Sequence, residues 1–202
     1  QHFVALTANV DAAHAFGIPA DRVLPLWDWV GGRFSVWSAV GFPLAVTLGF
    51  DQFRALLHGA AACDAHFATA PLPQHAPVIM ALCGVWNRNF LGFPALAVLP
   101  YAQPLAHLSD YLQQLDMESN GKSQTELGVP VDYETAPIVF GQPGTNGQHA
   151  FHQMLHQGPT PIPADFIGVC APSGCPARHK ALMAHFLAQG EALLWGKASK
   201  GP

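Results

Sequence analysis

The chain has 202 residues, of which 50% are hydrophobic and 11% are charged, with a formal net charge of -4. This length can bury the core of one domain, the slightly acidic balance excludes the basic surface that binds nucleic acid, and no apolar run is long enough to cross a membrane. The first residues lack the pattern of a secretion signal, and the four cysteines show no disulfide or metal-site spacing. We therefore predict a soluble, cytoplasmic protein.

Short apolar segments alternate with longer helix-like ones along the chain, which is typical of a mainly parallel sheet with helices on both faces. The sequence therefore predicts an α/β, three-layer sandwich. Strands are predicted at His2–Leu6, Leu96–Tyr101, Pro137–Gly141 and Asp165–Val169. Helices are predicted at Ser38–Leu48, Phe50–Thr69, Ala76–Leu91, Pro104–Asp116, Gly147–His156 and Arg178–Gly196. Asp51 and Asn146 are predicted to cap two of these helices, and the tail from Lys197 is predicted to be irregular.

The first segment that could carry chemistry places Gly31 and Gly32 directly before Arg33. Glycines let the backbone approach a ligand or adopt positive φ, and a guanidinium presents a planar, permanently charged fork to an oxyanion or phosphate. By themselves these residues fit an ordinary turn with a surface arginine better.

The second segment, Asp116–Lys122, follows a predicted helix and contains Glu118 in a glycine-containing turn. Loops on a rigid scaffold often carry catalytic groups, and a carboxylate here would act as a general base if partial burial raised its pKa. Composition alone favours a solvated turn after a helix, in which Asp116 could equally be structural.

The third segment, Gly141–His149, lies between a predicted strand and a predicted helix. In α/β sheets this position binds ligands at the carboxyl edge, and the N–H groups of a helix start favour anions. His149 is predicted in the first helical turn, where the helix dipole disfavours the imidazolium. A lone histidine is nevertheless more often a packed or surface residue.

His152 and His156 have a spacing that can place two ligands on one metal. A zinc protease motif would also need a glutamate beside the first histidine, and no third ligand stands out. We therefore predict ordinary packing and no metal. Glycine motifs that bind nucleotides are absent too, so no cofactor is predicted.

Taken in order, these segments resemble the active-site segments of phosphoglucose isomerases, and the resemblance covers nearly the whole chain. The matching stretches are DWVGGRFSVWSAVG (residues 28–41), QQLDMESNGK (residues 113–122) and PGTNGQHAFHQMLHQG (residues 143–158). The resemblance implies a flavodoxin-like, doubly wound sugar-isomerase (SIS) domain. Residues 1–202 would form most of the second such domain of the family, and residues 1–35 would include the end of the preceding domain or a linker.

The resemblance also implies a role for each matching residue. Glu118 would be the base that moves a proton between C1 and C2 of glucose 6-phosphate and fructose 6-phosphate through a cis-enediol, and Arg33 would steady the negative charge of that intermediate. His149 would help to open the sugar ring from the partner subunit of a homodimer. Gln114 and Gly32 would line the substrate. We expect Arg33, Glu118 and His149 to converge on one cleft at the carboxyl edge of the sheet.

Two parts of the family's site have no counterpart in this sequence. These are a Ser/Thr-rich phosphate-binding loop in the first SIS domain and a lysine near the C-terminus, a role that neither Lys197 nor Lys200 matches. Gln142 also stands where many family members carry an acid. An alternative interpretation is therefore a truncated sugar-phosphate-binding module with little or no activity by itself. An isomerase of another phosphosugar, such as mannose 6-phosphate, is the third interpretation.

Overall fold

A computed structural model of the chain describes residues 2–171 and 174–196. The chain divides into two compact units, one ending at Ile79 and the other beginning at Met80. Parallel strands connected by helices occur in both units, which confirms the predicted α/β class. Across the described ranges, no helix has the length and hydropathy that a bilayer span requires. The irregular tail predicted from Lys197 lies outside the described residues.

The first unit begins with a small β-α-β arrangement. Strand β1 (Ala5–Thr7), helix α1 (Val10–Ala15) and strand β2 (Val23–Pro25) follow one another, and the two strands pair in parallel. The side chain of Asn9 caps α1 by accepting a hydrogen bond from the N–H of Ala12 at 2.9 Å. Neither α1 nor β2 was predicted, because elements this short show no clear hydrophobic period.

Two consecutive helices follow in the same unit, α2 (Phe42–Leu48) and α3 (Phe50–Thr69). They are separated by Gly49, whose φ of 86° requires glycine. Helix α3 has the predicted bounds, but the predicted cap is wrong. Asp51 lies inside the first turn, where its carboxylate accepts a hydrogen bond from Arg54 at 2.7 Å, and Gly49 holds the cap position.

Helix α4 (Ala76–Val85) continues as a wider, π-helical turn over Trp86–Phe90. Together these two segments cover the predicted helix, and the widening was not predicted. Arg88 lies in the wide turn and donates hydrogen bonds to the carboxylate of Glu134 and, at 3.4 Å, to the carbonyl of Phe93. This ion pair holds the end of the helix against the segment that precedes the strand Ile138–Phe140.

The second unit is organised around strand β3 (Ala95–Tyr101), with β4 (Ile138–Phe140) on one side and β5 (Ala164–Gly168) on the other. All three strands are parallel and overlap the predicted ones. Six of the seven β3 residues are buried, as expected for the centre of a parallel sheet covered on both faces.

Pro100 lies in this central strand, although proline lacks the N–H group that a central strand normally uses. The N–H of Ala97 donates to Pro163 on the β5 side at 2.9 Å. Because parallel strands alternate the direction of their N–H groups, the nitrogen of Pro100 faces the β4 side instead. Pairing with β4 has already ended there, since its last partner on β3 is Ala97. The proline therefore removes no ladder hydrogen bond.

The core of the second unit lies on one face of the sheet. Tyr101 is 1% exposed, and its ring contacts Phe166 at 6.0 Å and Phe186 at 5.4 Å between centroids. Within the described residues, four α-helices follow β3 in the second unit: α5 (Leu108–Leu112), α6 (Gly144–Gly147), α7 (His152–Gln157) and α8 (Pro176–Trp195).

The helix predicted over Gly147–His156 is therefore two helices, α6 and α7, separated by a turn. Asn146 is not a cap, because α6 begins at Gly144 and Asn146 lies within it. The break follows from tertiary packing: the ring of Phe151 packs edge-on against Phe140 of β4 at 5.1 Å, and its backbone leaves the helical conformation with a φ of −137°.

Candidate active site

Arg33 lies in the first unit, in a 3-10 helical turn spanning Gly32–Trp37. Arg33 is half-buried and Gly32 is exposed. Gly31 has a φ of −71° and Gly32 is not among the positive-φ residues, so neither backbone conformation requires glycine. A Cβ built on Gly32 would meet nothing within 4 Å. The glycine therefore leaves open space beside the arginine.

The segment after Arg33 is held firmly within the first unit. The Ser38 hydroxyl donates to the carbonyl of Ser35 at 2.6 Å and accepts from the N–H of Val40 at 3.3 Å, so it caps the next short turn. Gly41 is buried, and a Cβ there would lie 2.6 Å from the ring of Phe53 on α3. This close approach fixes the segment that carries Arg33 against α3.

Glu118 ends a π-helical turn, Gln113–Glu118, that continues α5 without interruption. Such widened turns occur frequently at functional sites. Gln114 and Glu118 are four residues apart on this turn, and both are exposed. The two side chains predicted to meet the substrate in this segment therefore share one exposed side of the turn.

The same turn is attached to strand β4 by side-chain contacts. Gln113 donates from Nε2 to the carbonyl of Val139 at 3.0 Å, and the N–H of Val139 donates to the sulfur of Met117 at 3.3 Å. One turn earlier, the Ser109 hydroxyl donates to the carbonyl of Gly141 at 2.9 Å. Helix α5 and the turn that follows it therefore run antiparallel to β4, and the turn lies beside this strand.

Residues on either side of Glu118 stabilise the turn in which it ends. The amide of Asn120 donates to the carboxylate of Asp116 at 2.6 Å, and the ammonium of Lys122 donates to the carbonyl of Glu118. The N–H of Gly121 donates to the carbonyl of Met117 at 2.8 Å. Asp116 and Lys122 thus have structural contacts within the turn, and Glu118 is an exposed residue of the same turn.

Two glycines bring the loop after β4 close to the sheet. A Cβ on Gly141 would lie 1.8 Å from the carbonyl oxygen of Val98, and a Cβ on Gly144 would lie 2.2 Å from the ring of Tyr101. Neither position can hold a larger residue unless the backbone moves. The loop therefore lies directly on the carboxyl end of β3 and β4, as the sequence predicted for this segment.

His149 lies in the turn between α6 and α7, not in the first turn of a helix. Its N–H donates to the carbonyl of Asn146 at 3.1 Å, past the end of α6. The predicted influence of a helix N-terminus on this imidazole is therefore wrong. His149 is exposed on the surface of the second unit.

His152, three residues further on, is only 3% exposed. Burial lowers its pKa, and a contact with the backbone of Gly147 opposes this effect. The ring of His156 lies 6.4 Å away and is itself 3.2 Å from the side-chain oxygen of Gln189. In the described part of the chain, no three side chains of the metal-binding types come together. His156 thus has a hydrogen-bond partner, and the ring of His152 packs against those of Phe151 and His156.

Burial of His152 leads to a pH-dependent stability. Below about pH 6.5 the unfolded chain binds a proton at this residue, whereas the folded chain, with its lowered pKa, resists it. We therefore expect the unfolding temperature of the purified chain to fall as the pH falls from 7.5 to 5.5. His152→Phe should reduce this fall, and the matched variant His185→Gln, at an exposed histidine, should not. An equal fall in both variants would contradict the assignment to His152.

Comparison with known proteins agrees with the fold and with the family resemblance. The family model of phosphoglucose isomerase matches residues 1–201. The glucose-6-phosphate isomerase of Xanthobacter autotrophicus is 55% identical over 97% of this chain, and that of Hahella chejuensis is 52% identical over 98%. The crystal structure of a glucose-6-phosphate isomerase from Chlamydia trachomatis superimposes with a TM-score of 0.85, at 41% identity, over 100% of this chain and 40% of that one.

This chain belongs to the phosphoglucose isomerase family. It spans 36% of the length of the two bacterial relatives. Gln114, Glu118 and His149 lie in the second unit, and Gly32 and Arg33 lie in the first. Their roles and their convergence on one cleft stay predictions.

Sequence reasoning missed the residues that hold the candidate base in place, Gln113 and Met117. Their partner is the backbone of Val139, which no side-chain motif could reveal. The predicted strand β4 gave only a weak indication of these contacts. A short strand at the edge of a parallel sheet leaves backbone groups that a neighbouring element must satisfy.

Proposed function

We propose that this chain forms part of the active site of a glucose-6-phosphate isomerase, which interconverts glucose 6-phosphate and fructose 6-phosphate in glycolysis and gluconeogenesis. The observation that carries the proposal is the exposed Glu118 at the end of a turn that is anchored to β4, with Gln114 beside it. An exposed carboxylate on an anchored turn can reach a substrate carbon without losing its alignment.

In the proposed mechanism, Glu118 takes the proton from C2 of the open-chain aldose and returns it to C1 of the cis-enediol. Arg33 stabilises the negative charge that develops on the oxygen as the proton leaves, since a fixed cation is most effective where charge appears. Gln114 and Gly32 line the substrate. The reaction requires a base and charge stabilisation, which side chains supply, and we propose no metal or organic cofactor.

His149 is proposed to open the sugar ring in the active site of a partner subunit. Its exposed position in the turn after α6 supports this role, because a side chain on the surface can cross a subunit interface. The proposed active form is therefore a cytoplasmic homodimer. We also propose that residues 1–202 form an SIS domain, with the end of a preceding domain or a linker within residues 1–35.

A second candidate function is a sugar-phosphate-binding module that lacks catalytic activity. The chain's 36% share of its relatives' length favours it. The two functions are separated by assaying the chain by itself and within a complete enzyme. We expect the chain by itself to show little or no isomerisation.

The complete enzyme for this test is the isomerase of Xanthobacter autotrophicus with this chain in place of its matching segment, which we call the host enzyme. We expect the host enzyme to convert glucose 6-phosphate to fructose 6-phosphate and to act poorly on mannose 6-phosphate. A folded host enzyme without this activity would contradict the proposed function, and a preference for mannose 6-phosphate would assign the chain to another phosphosugar.

A further inference from the structure

We propose that Gln113 and Met117 are positioning residues, which hold the candidate base Glu118 by covering the open backbone edge of β4. This inference rests on the proposed function, since it concerns the alignment of the base in that reaction. It adds two residues that the family resemblance assigned no role.

The backbone N–H and C=O of Val139 point away from β3. Within the described residues, β4 pairs with β3 alone. The N–H of Ile138 donates to Pro94, at the start of β3, at 3.0 Å, so the polar groups of the next residue, Val139, point to the opposite side. Val139 is only 2% exposed, and a buried N–H or C=O without a partner destabilises the fold. Both groups therefore need partners from another element.

Both partners of Val139 come from the turn that carries Glu118. The amide of Gln113 satisfies the carbonyl of Val139, and the sulfur of Met117 accepts its N–H. Sulfur is a weak acceptor, so this hydrogen bond is weak. The main contribution of the Met117 side chain is to fill the space beside the strand. Two side chains one helical turn apart, those of Gln113 and Met117, thus both contact the backbone of Val139 in β4.

Residues of α5 and of the turn that follows it form two neighbouring rows along the helix, which we call stripes. Ser109, Gln113 and Met117 follow one another at intervals of four residues and all contact β4 or the loop after it. Gln114 and Glu118 are each one residue further along and are exposed; Gln113 is exposed as well, although its amide contacts Val139. Because one stripe is attached to the strand, the neighbouring stripe is presented in a fixed direction.

Loss of the contacts with Val139 should affect the chemical step more than substrate binding. A displacement of about 1 Å at a catalytic group can lower the rate by about 10². Loss of either contact with Val139 leaves the carboxylate of Glu118 chemically unchanged but less well aligned. We therefore expect a lower kcat with little change in KM.

The test compares variants of the host enzyme at temperatures well below unfolding. Gln113→Leu removes the amide donor, and Met117→Leu removes the sulfur acceptor while conserving volume. Each is expected to lower kcat about 10- to 100-fold and to change KM less than about threefold. Met117→Gln restores an acceptor and should recover most of the activity. Gln52→Leu makes the same chemical change as Gln113→Leu at an exposed position on α3 and should be neutral.

The outcomes separate the positioning role from the proposed function. If Glu118→Gln abolishes turnover but both leucine variants keep kcat within twofold, the positioning role is wrong and the function stands. If Glu118→Gln retains turnover, Glu118 is not the base and the positioning role falls with it, whereas the proposed function fails only if the unsubstituted host enzyme is folded and inactive. A Met117→Gln variant no better than Met117→Leu would also overturn the positioning role. The volume-conserving Met117 pair decides the question even if Gln113→Leu does not fold.

Discussion

Glu118→Gln in the host enzyme is expected to lower kcat by about 10²–10⁴, the usual contribution of a general base. The amide has nearly the shape of the carboxylate but cannot accept the C2 proton. Glu118 is exposed and its backbone is held by Lys122 and by the neighbouring contact of Met117, so we expect the substitution to leave the fold unchanged. Steady-state kinetics in both reaction directions provide the measurement.

A second readout distinguishes loss of the base from loss of binding. Isomerisation through an enediol exchanges the C2 proton with solvent, so the unsubstituted host enzyme should incorporate deuterium from heavy water into the sugar phosphate. Glu118→Gln should abolish this incorporation together with turnover. Glu126→Gln makes the same change at another exposed glutamate and should alter neither. Near-normal turnover or label incorporation in Glu118→Gln would show that another group is the base.

Tyr101→Ala is expected to cost about 3–5 kcal/mol of unfolding free energy, as for other large buried aromatic side chains. The ring is 1% exposed, stacks near Phe166 and meets Phe186 edge-on. It also lies directly beneath Gly144, so its loss leaves a cavity under the loop that leads to His149. Native-state hydrogen exchange of the β3 amides in the purified chain measures the change in opening free energy.

Tyr101→Phe is the matched control for this prediction. The hydroxyl is buried and forms no hydrogen bond of good geometry with the described residues. Burial raises the pKa of Tyr101, although the nearby side chain of Gln148 opposes the effect. Removing the hydroxyl should therefore be neutral or slightly stabilising. A phenylalanine variant that is as unstable as the alanine variant would assign the stability to the hydroxyl instead of to the packing of the ring.

The sequence predicted the long or strongly apolar elements best. Helix α3 has 20 residues, enough for its bounds to be predicted correctly, and β3 shows the continuous apolar run of a central strand. The failures occurred where tertiary contacts decide local structure. The edge-on packing of Phe151 on Phe140 splits a predicted helix in two, and the π-helical turn at Gln113–Glu118 coincides with contacts to Val139.

The candidate site was less predictable from residue types than the fold was. From residue type alone, an ordinary turn or surface position was a better interpretation than a catalytic role for Arg33, Glu118 and His149. Only the family resemblance of three segments in order assigned them roles. The direction in which Glu118 projects could not be predicted, because it depends on backbone groups of β4 that are distant in sequence. The contact between Ser109 and Gly141 spans 32 residues in the same way.

The covered edge of β4 has one more consequence, for the behaviour of the protein in a crowded solution. An open edge strand is a template on which another chain can add a strand and begin to aggregate. Gln113 and Met117 occupy the hydrogen-bonding groups of Val139, so no foreign strand can pair through that residue. Selection for solubility and selection for catalysis would therefore act on the same two side chains.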